Sequence, residues 1–251
     1  MENMELTTIT TTEYPALAVR SEVSIEDELL AEEMEALGDI RLKFPKLKLG
    51  ASGNGKLEVP DPESPEDSKS VREIEGLIVL AQTSRAFWGE DGALVPACAS
   101  SNGKVSFDGK QCATCKKCKF GRDADGSLVR PDCKESRNLY ILTKEHNRPL
   151  QFMIPPSGIA EYDKFARDLL SSGKSQLGTI VKITVEVATN KANQKYNKAK
   201  FATVGRVDAD TIKTLMELRK QIVNTISSMA ITDMGDDAIE MTPVEDEGMP
   251  F

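Results

Sequence analysis

A chain of 251 residues, 39% hydrophobic and 29% charged, is long enough to bury one sizeable core with extensions, or two small ones. It has no run of eighteen apolar residues, which excludes a membrane-spanning helix. Its formal charge of −8 is uneven: eleven acids against one Arg over 1–40 give −10, and seven acids with no base over 221–251 give −7, which leaves +9 on 41–220. A basic centre between acidic ends is the electrostatic footprint of a polyanion-binding protein, although a charged surface also serves solubility.

Residues 1–20 are acidic and Thr-rich, without the basic start and apolar stretch of a secretory signal. They are expected to be disordered, in a cytoplasmic protein. Ser24, Ile25, Glu26 and Asp27 form a capping box that opens an acidic amphipathic helix over 21–39. Its stripe is Ile25, Leu29, Leu30, Met34 and Leu37, and Gly38 stops it. The main domain is expected over 40–230. Residues 44–49 alternate, with Leu47 and Leu49 on one face and Lys46 and Lys48 on the other. A turn over 50–55 and a returning strand over 56–59 follow. A Pro/Ser/acid loop occupies 61–70, and 73–83 is apolar on both faces, as in a buried strand.

Residues 84–136 hold all five cysteines but little apolar periodicity, so this insertion needs something other than a core to hold it. Strands resume at 138–143 and 149–154 around a turn at 145–148. A helix over 157–170 has Ile159, Tyr162, Phe165, Ala166, Leu169 and Leu170 on its apolar face. In the strand 179–189, Val181, Ile183, Val185 and Val187 alternate with Lys182, Thr184 and Glu186. A hairpin tip over 190–200 leads into a strand over 201–207. Asp208 or Asp210 caps a last helix over 208–230, and an acidic tail over 231–251 closes the chain. This string is mainly β with flanking helices. It suits a five-stranded barrel of the oligonucleotide-binding (OB) type with an inserted loop. A sandwich with appended helices gives a similar string.

Cys112 and Cys115 form a C-x₂-C knuckle whose thiolates can share one tetrahedral ion, completed from the two flanks by Cys98 and Cys133. A structural Zn²⁺ held this way ties both arms of the loop together. Cys118 is the substitute ligand, and with it Cys112, Cys115 and Cys133 form an alternative set. The C-x₂-C-x₂-C run is also compatible with iron–sulfur ligation. A zinc deaminase lacks its H-x-E partner, since the one histidine, His146, precedes Asn147 and Arg148. No Gly-rich phosphate loop, no G-x-S-x-G and no acidic metal cluster is found, so no enzyme activity is expected.

Single strands are bound by basic grooves with rings on which bases stack. Arg85, Phe87 and Trp88 at a strand end are candidates, the alternative being that Trp88 packs over the cysteine loop. Lys191, Lys195, Tyr196, Lys198 and Lys200 make a basic hairpin arm around one ring, the alternative being a solvated hairpin. Lys46, Lys48 and Lys182 are placed to line the same groove. Tyr140, Tyr162 and Phe165 fall in apolar patterns and belong to the core. At the tail, Glu245, Asp246, Glu247, Met249, Pro250 and Phe251 suit a docking peptide. Its ring would fill an apolar pocket with a basic rim, whereas a merely solubilising tail has no use for the ring.

Residues 44–49, the cysteine loop, residues 134–140 and the hairpin with Lys195, Tyr196 and Asn197 together resemble phage and prophage single-stranded DNA-binding proteins with an OB-like fold and a zinc loop. The similarity covers roughly 40–207. The acidic tail with Pro250 and Phe251 resembles that of bacterial single-stranded DNA-binding proteins. The resemblance implies sequence-independent binding of single-stranded DNA in replication or recombination, in a bacterial cell or phage-infected host, with the tail recruiting partner proteins. Cys118 and the acidic N-terminal helix depart from the pattern, and the helix suggests an oligomerisation or partner surface. Two alternatives are a zinc-containing RNA-binding or transcription-associated module and a recombination strand-annealing factor.

Overall fold

The computed structural model describes residues 6–7, 13–17, 43–64, 66–89, 93 and 95–227. The expected helix over 21–39 and the tail over 231–251, with Glu245, Asp246, Glu247, Met249, Pro250 and Phe251, lie outside the described residues.

The strands are β1 (Leu6–Thr7), β2 (Lys46–Leu49), β3 (Leu57–Pro60), β4 (Ser68–Val71), β5 (Glu73–Phe87), β6 (Cys98–Ser100), β7 (Gly121–Arg122), β8 (Leu128–Val129), β9 (Lys134–Leu142), β10 (Leu150–Ile154), β11 (Thr179–Thr189) and β12 (Lys195–Val207). The helices are α1 (Pro156–Ser171) and α2 (Ala209–Ser227). One sheet has the order β1-β12-β11-β5-β9-β10-β2-β3-β4, with β6 beside β5, while β7 and β8 pair apart from it. The protein is mainly β, with helices on the flanks of a sheet that curls into a half-barrel.

The curl follows from burial on both faces. Leu139 and Ile141 of β9, Leu150, Phe152 and Ile154 of β10, and Val181 and Ile183 of β11 meet on the inner face with Leu47 and Leu57, under Tyr162 of α1. On the outer face, Tyr140, Leu142, Leu77 and Val207 meet Leu215, Leu218, Ile222 and Ile226 of α2. Strand β5 contributes to both cores. Between Ile78 and Leu80 its register slips against β9, so Val79 and Leu80 both serve the outer core and Ala81 returns to the inner one. At Gly76, a Cβ would stand 2.4 Å from the Leu142 carbonyl oxygen, so only glycine lets β5 and β9 approach there.

The elements end where their chemistry directs. Pro156 opens α1 with its φ already helical. Gly173, at φ +71°, closes it, its N–H donating to Leu170 O at 3.0 Å and that of Lys174 to Leu169 O at 2.9 Å. Asp208, not Asp210, caps α2, accepting the Thr211 N–H at 2.8 Å. Two expectations change. Tyr14 and Leu17, inside the segment expected to be disordered, are buried in the outer core, and Leu6–Thr7 pairs with β12. The supposed arm over 190–200 is mostly sheet: β11 and β12 pair out to Thr189 and Lys195, leaving a tight turn with Asn193 at φ +61°.

The curled sheet is fastened across its gap by Asn197, which is buried. Its Nδ2 donates to Gly50 O and Ala51 O, both at 2.9 Å, and to Asn54 Oδ1 at 2.8 Å, while its Oδ1 accepts the Gly55 N–H at 3.0 Å. Ser52 Oγ donates to Lys195 O. The β2–β3 turn thus docks on β12.

Candidate functional site

Strand β5 outruns the half-barrel, and its last residues build a second structure. Phe87 pairs with Cys98 on one side, and Ala86 with Lys134 on the other. Cys133, one residue before Lys134, therefore arrives at the level of Phe87. Two short 3₁₀ turns, Cys112–Thr114 and Lys116–Cys118, carry Cys112 and Cys118, and Cys115 joins them. Backbone bonds seat these turns: Cys112 N donates to Lys104 O at 2.8 Å, Cys115 N to Cys112 O at 3.2 Å, and Cys133 N to Lys117 O at 2.9 Å.

All five cysteines, each a free thiol, line one cavity of about 40 Å³ together with Arg85, Phe87, Ser100 and Ser106. A space of that size holds one ion or one water. No group of three or more His, Cys, Asp or Glu side chains among the described residues has metal-holding geometry as it stands. Thiols are the donor type that a thiophilic ion takes. Burial pushes the Cys133 thiol up to about 12, reinforced by its hydrogen bond with Cys118, and burial also raises Cys98 and Cys112. Cys115 moves the other way, chiefly because the Lys117 N–H points at its sulfur. Cys118 touches both Cys115 and Cys133, so it stands among the expected ligands and not to one side of them.

Arg85 backs this cluster. Its guanidinium pairs with Glu135 and donates to Cys118 O at 3.3 Å, and its charge favours the thiolates of Cys112 and Cys133. Arg137 continues the chain from Glu135 to Asp163 of α1 at 3.1 Å, fixing the loop to the barrel. Arg85, Lys104, Lys119 and Gln111 also line an open cleft of about 410 Å³ beside Cys112 and Cys118. Phe87 faces the thiol cavity with the Lys117 ammonium 3.3 Å from its ring centre. Trp88 is half-buried and packs on Ala86 with Met153, its indole N–H buried without a partner.

The lysine hairpin occupies the other end of β5. Thr184 pairs with Glu73, and β11 runs on past it, so the turn over 190–194 and the thiol cavity lie beyond opposite ends of a strand about 45 Å long. The structure therefore divides the expected nucleic-acid residues into two groups. At the hairpin, Lys191 and Lys195 are exposed, with no ion pair among the described residues, and Tyr196 is half-buried. Lys198 donates to Glu161 at 2.8 Å, Lys200 bridges Glu161 at 3.0 Å and Glu186 at 3.1 Å, and Lys182 bridges Glu73 at 3.0 Å and Glu75 at 3.1 Å. Lys46 and Lys48 each engage a neighbour as well.

Sequence reading missed Ser100 and Ser106, which meet the Cys112 and Cys98 thiols, and Lys104 and Lys119 at the cleft. No spacing rule marks them, because strand pairing and loop closure bring them in. Compared with protein families, curated proteins and solved structures, the chain matches none.

Proposed function

We propose that the protein binds single-stranded DNA without sequence preference and performs no chemistry on it. Charge placement carries the reading: +9 over 41–220, set between acidic ends of −10 and −7. Exposed cations stand at both ends of β5, about 45 Å apart. An extended polyanion could touch both. Lys191 and Lys195 at the hairpin, and Lys104 and Lys119 at the cleft, would neutralise phosphates and release counterions. On this reading the inner core of the half-barrel is that of a five-stranded OB-like barrel, and the acids of 221–251 compete with DNA for the same cations.

A Zn²⁺ held by four of Cys98, Cys112, Cys115, Cys118 and Cys133 would supply cross-linking alone, since four thiolates leave no open position. The protein residues do the rest: Arg85 offsets the thiolate charge, and Ser100 and Ser106 hydrogen-bond the sulfurs. The test is a titration of poly-dT and of duplex at several salt concentrations, with metal measured on the same sample. Expected are tight binding of poly-dT that weakens steeply with salt, weaker binding of duplex, and one zinc per chain. Duplex preference would sink the proposal, and equal binding of RNA would redirect it to an RNA-binding module.

A further inference from the structure

The cleft of about 410 Å³ beside the thiol cluster is lined by Arg85, Lys104, Gln111 and Lys119, and by no acid. Its two lysines stand on fixed backbone. Asn102 Oδ1 accepts the Lys104 N–H at 2.8 Å and the Val105 N–H at 3.0 Å, and Lys104 O accepts the Cys112 N–H at 2.8 Å. Lys119 follows the second 3₁₀ turn, its N–H donating to Lys116 O at 3.2 Å. Arg85, Gln111, Cys112 and Cys118 border both the cleft and the thiol cavity, so the fastening that shapes the cluster also shapes the cleft.

Two positive charges at this cleft are left over for a ligand. The Arg85 guanidinium is already engaged by Glu135 and Cys118 O. Lys104 and Lys119 are exposed and form no ion pair among the described residues. Residues 98–119 carry five Lys and one Asp, for +4, so they stay positive even with the double negative charge of a zinc–tetrathiolate. An internal phosphodiester brings a single charge. A phosphomonoester brings about −1.5 to −2 at neutral pH and three acceptor oxygens, the better match to two lysines. Gln111 is exposed beside them, and its side-chain amide, which forms no hydrogen bond among the described residues, can pair with a sugar or a base edge. The volume lies in the range of roughly 300–1,000 Å³ that single small molecules take.

We propose that the cleft is a phosphomonoester pocket for one nucleotide, the phosphorylated end of a DNA strand or a free nucleotide, with Lys104 and Lys119 on the phosphate and Gln111 on the sugar or base. The choice of a nucleotide rests on the single-stranded DNA reading above, and the choice of a monoester rests on the cleft. The full chain and a K104Q/K119Q variant are titrated with labelled oligo-dT carrying a 5′-phosphate, a 3′-phosphate or hydroxyls at both ends, and separately with dTMP and with thymidine. The parent is expected to bind one phosphorylated end about tenfold more tightly than the hydroxyl-ended strand, and dTMP in preference to thymidine. K104Q/K119Q is expected to lose both preferences, with a melting curve and metal content equal to the parent's. End preference without dTMP binding assigns the pocket to strand ends, and dTMP binding without end preference assigns it to free nucleotides. Equal affinity of the parent for all three strands, with no binding of dTMP, overturns the pocket and leaves DNA binding standing. A preference that survives in K104Q/K119Q overturns its placement in this cleft. If the parent binds dTMP through the two lysines but no oligo-dT, the functional proposal falls and the pocket stands.

Discussion

The half-barrel and the cysteine loop share strand β5 but are held by different physics. In the barrel, β5 carries Leu77, Ile78, Val79 and Leu80, all buried, and serves two apolar cores. Beyond Ser84 the same strand carries Arg85 and Phe87, and the apolar burial shrinks to Ala86 with Trp88 and Met153. There the fold relies on backbone bonds, the Arg85–Glu135–Arg137–Asp163 chain and five thiols around one cavity. The comparison teaches that a strand can leave one cooperative unit and enter another when its side chains change character. The loop is expected to open without unfolding the core.

The largest effect should come from the barrel. Phe152 is fully buried on β10, so Phe152→Ala should cost about 4 kcal/mol of global stability in denaturant unfolding. A loss below about 1 kcal/mol would mean that the inner core does not carry the stability of the half-barrel. Chelation should act on the other side. With a strong chelator and reductant, 98–133 should become protease-sensitive while the unfolding midpoint of the body stays within a few degrees. Simultaneous collapse of both would break the distinction between the two units.

The same division explains what the sequence made legible. Strands β9, β10 and β11 and helix α1 were visible because apolar periodicity reports burial directly, as with Val181 and Ile183 facing the inner core. The gathering of cysteines was visible from C-x₂-C spacing, as a reading of chemistry and not of packing. Other features come from non-local partners. Tyr14 and Leu17 lie in a Thr-rich, acidic stretch whose composition reads as disorder, and their burial depends on α2, about two hundred residues away. Lys198 and Lys200 looked like phosphate contacts because Glu161, on a helix between two strands, gives no local sign of meeting them. Asn197 looked like part of a solvated tip, yet its amide fastens the β2–β3 turn to β12.

The smallest effect sharpens the comparison through pH, because acid reaches a polar fastening that belongs to the barrel alone. Hydrogen bonds from Lys198, and then Lys200, hold the Glu161 carboxyl down to about 2. In the unfolded chain it titrates near the ordinary value of about 4.3. A carboxyl depressed by folding stabilises the fold above its unfolded pKa and loses that contribution as pH falls through the folded one. Glu161 should therefore contribute fully at neutral pH, fade below about 4.3 and contribute nothing below about 2. Because the group is partly solvated, Glu161→Gln should cost about 1 kcal/mol at pH 7, and the difference from the parent should vanish by about pH 2. The measurement is denaturant unfolding of both proteins across that range, with proteolysis of 98–133 followed in parallel. A difference that persists at the acid end would show that Glu161 acts through packing and not through charge. A change in loop cleavage would show that the helix-to-hairpin fastening reaches the thiol cluster through Asp163 and Arg137, and would join the two units that β5 otherwise separates.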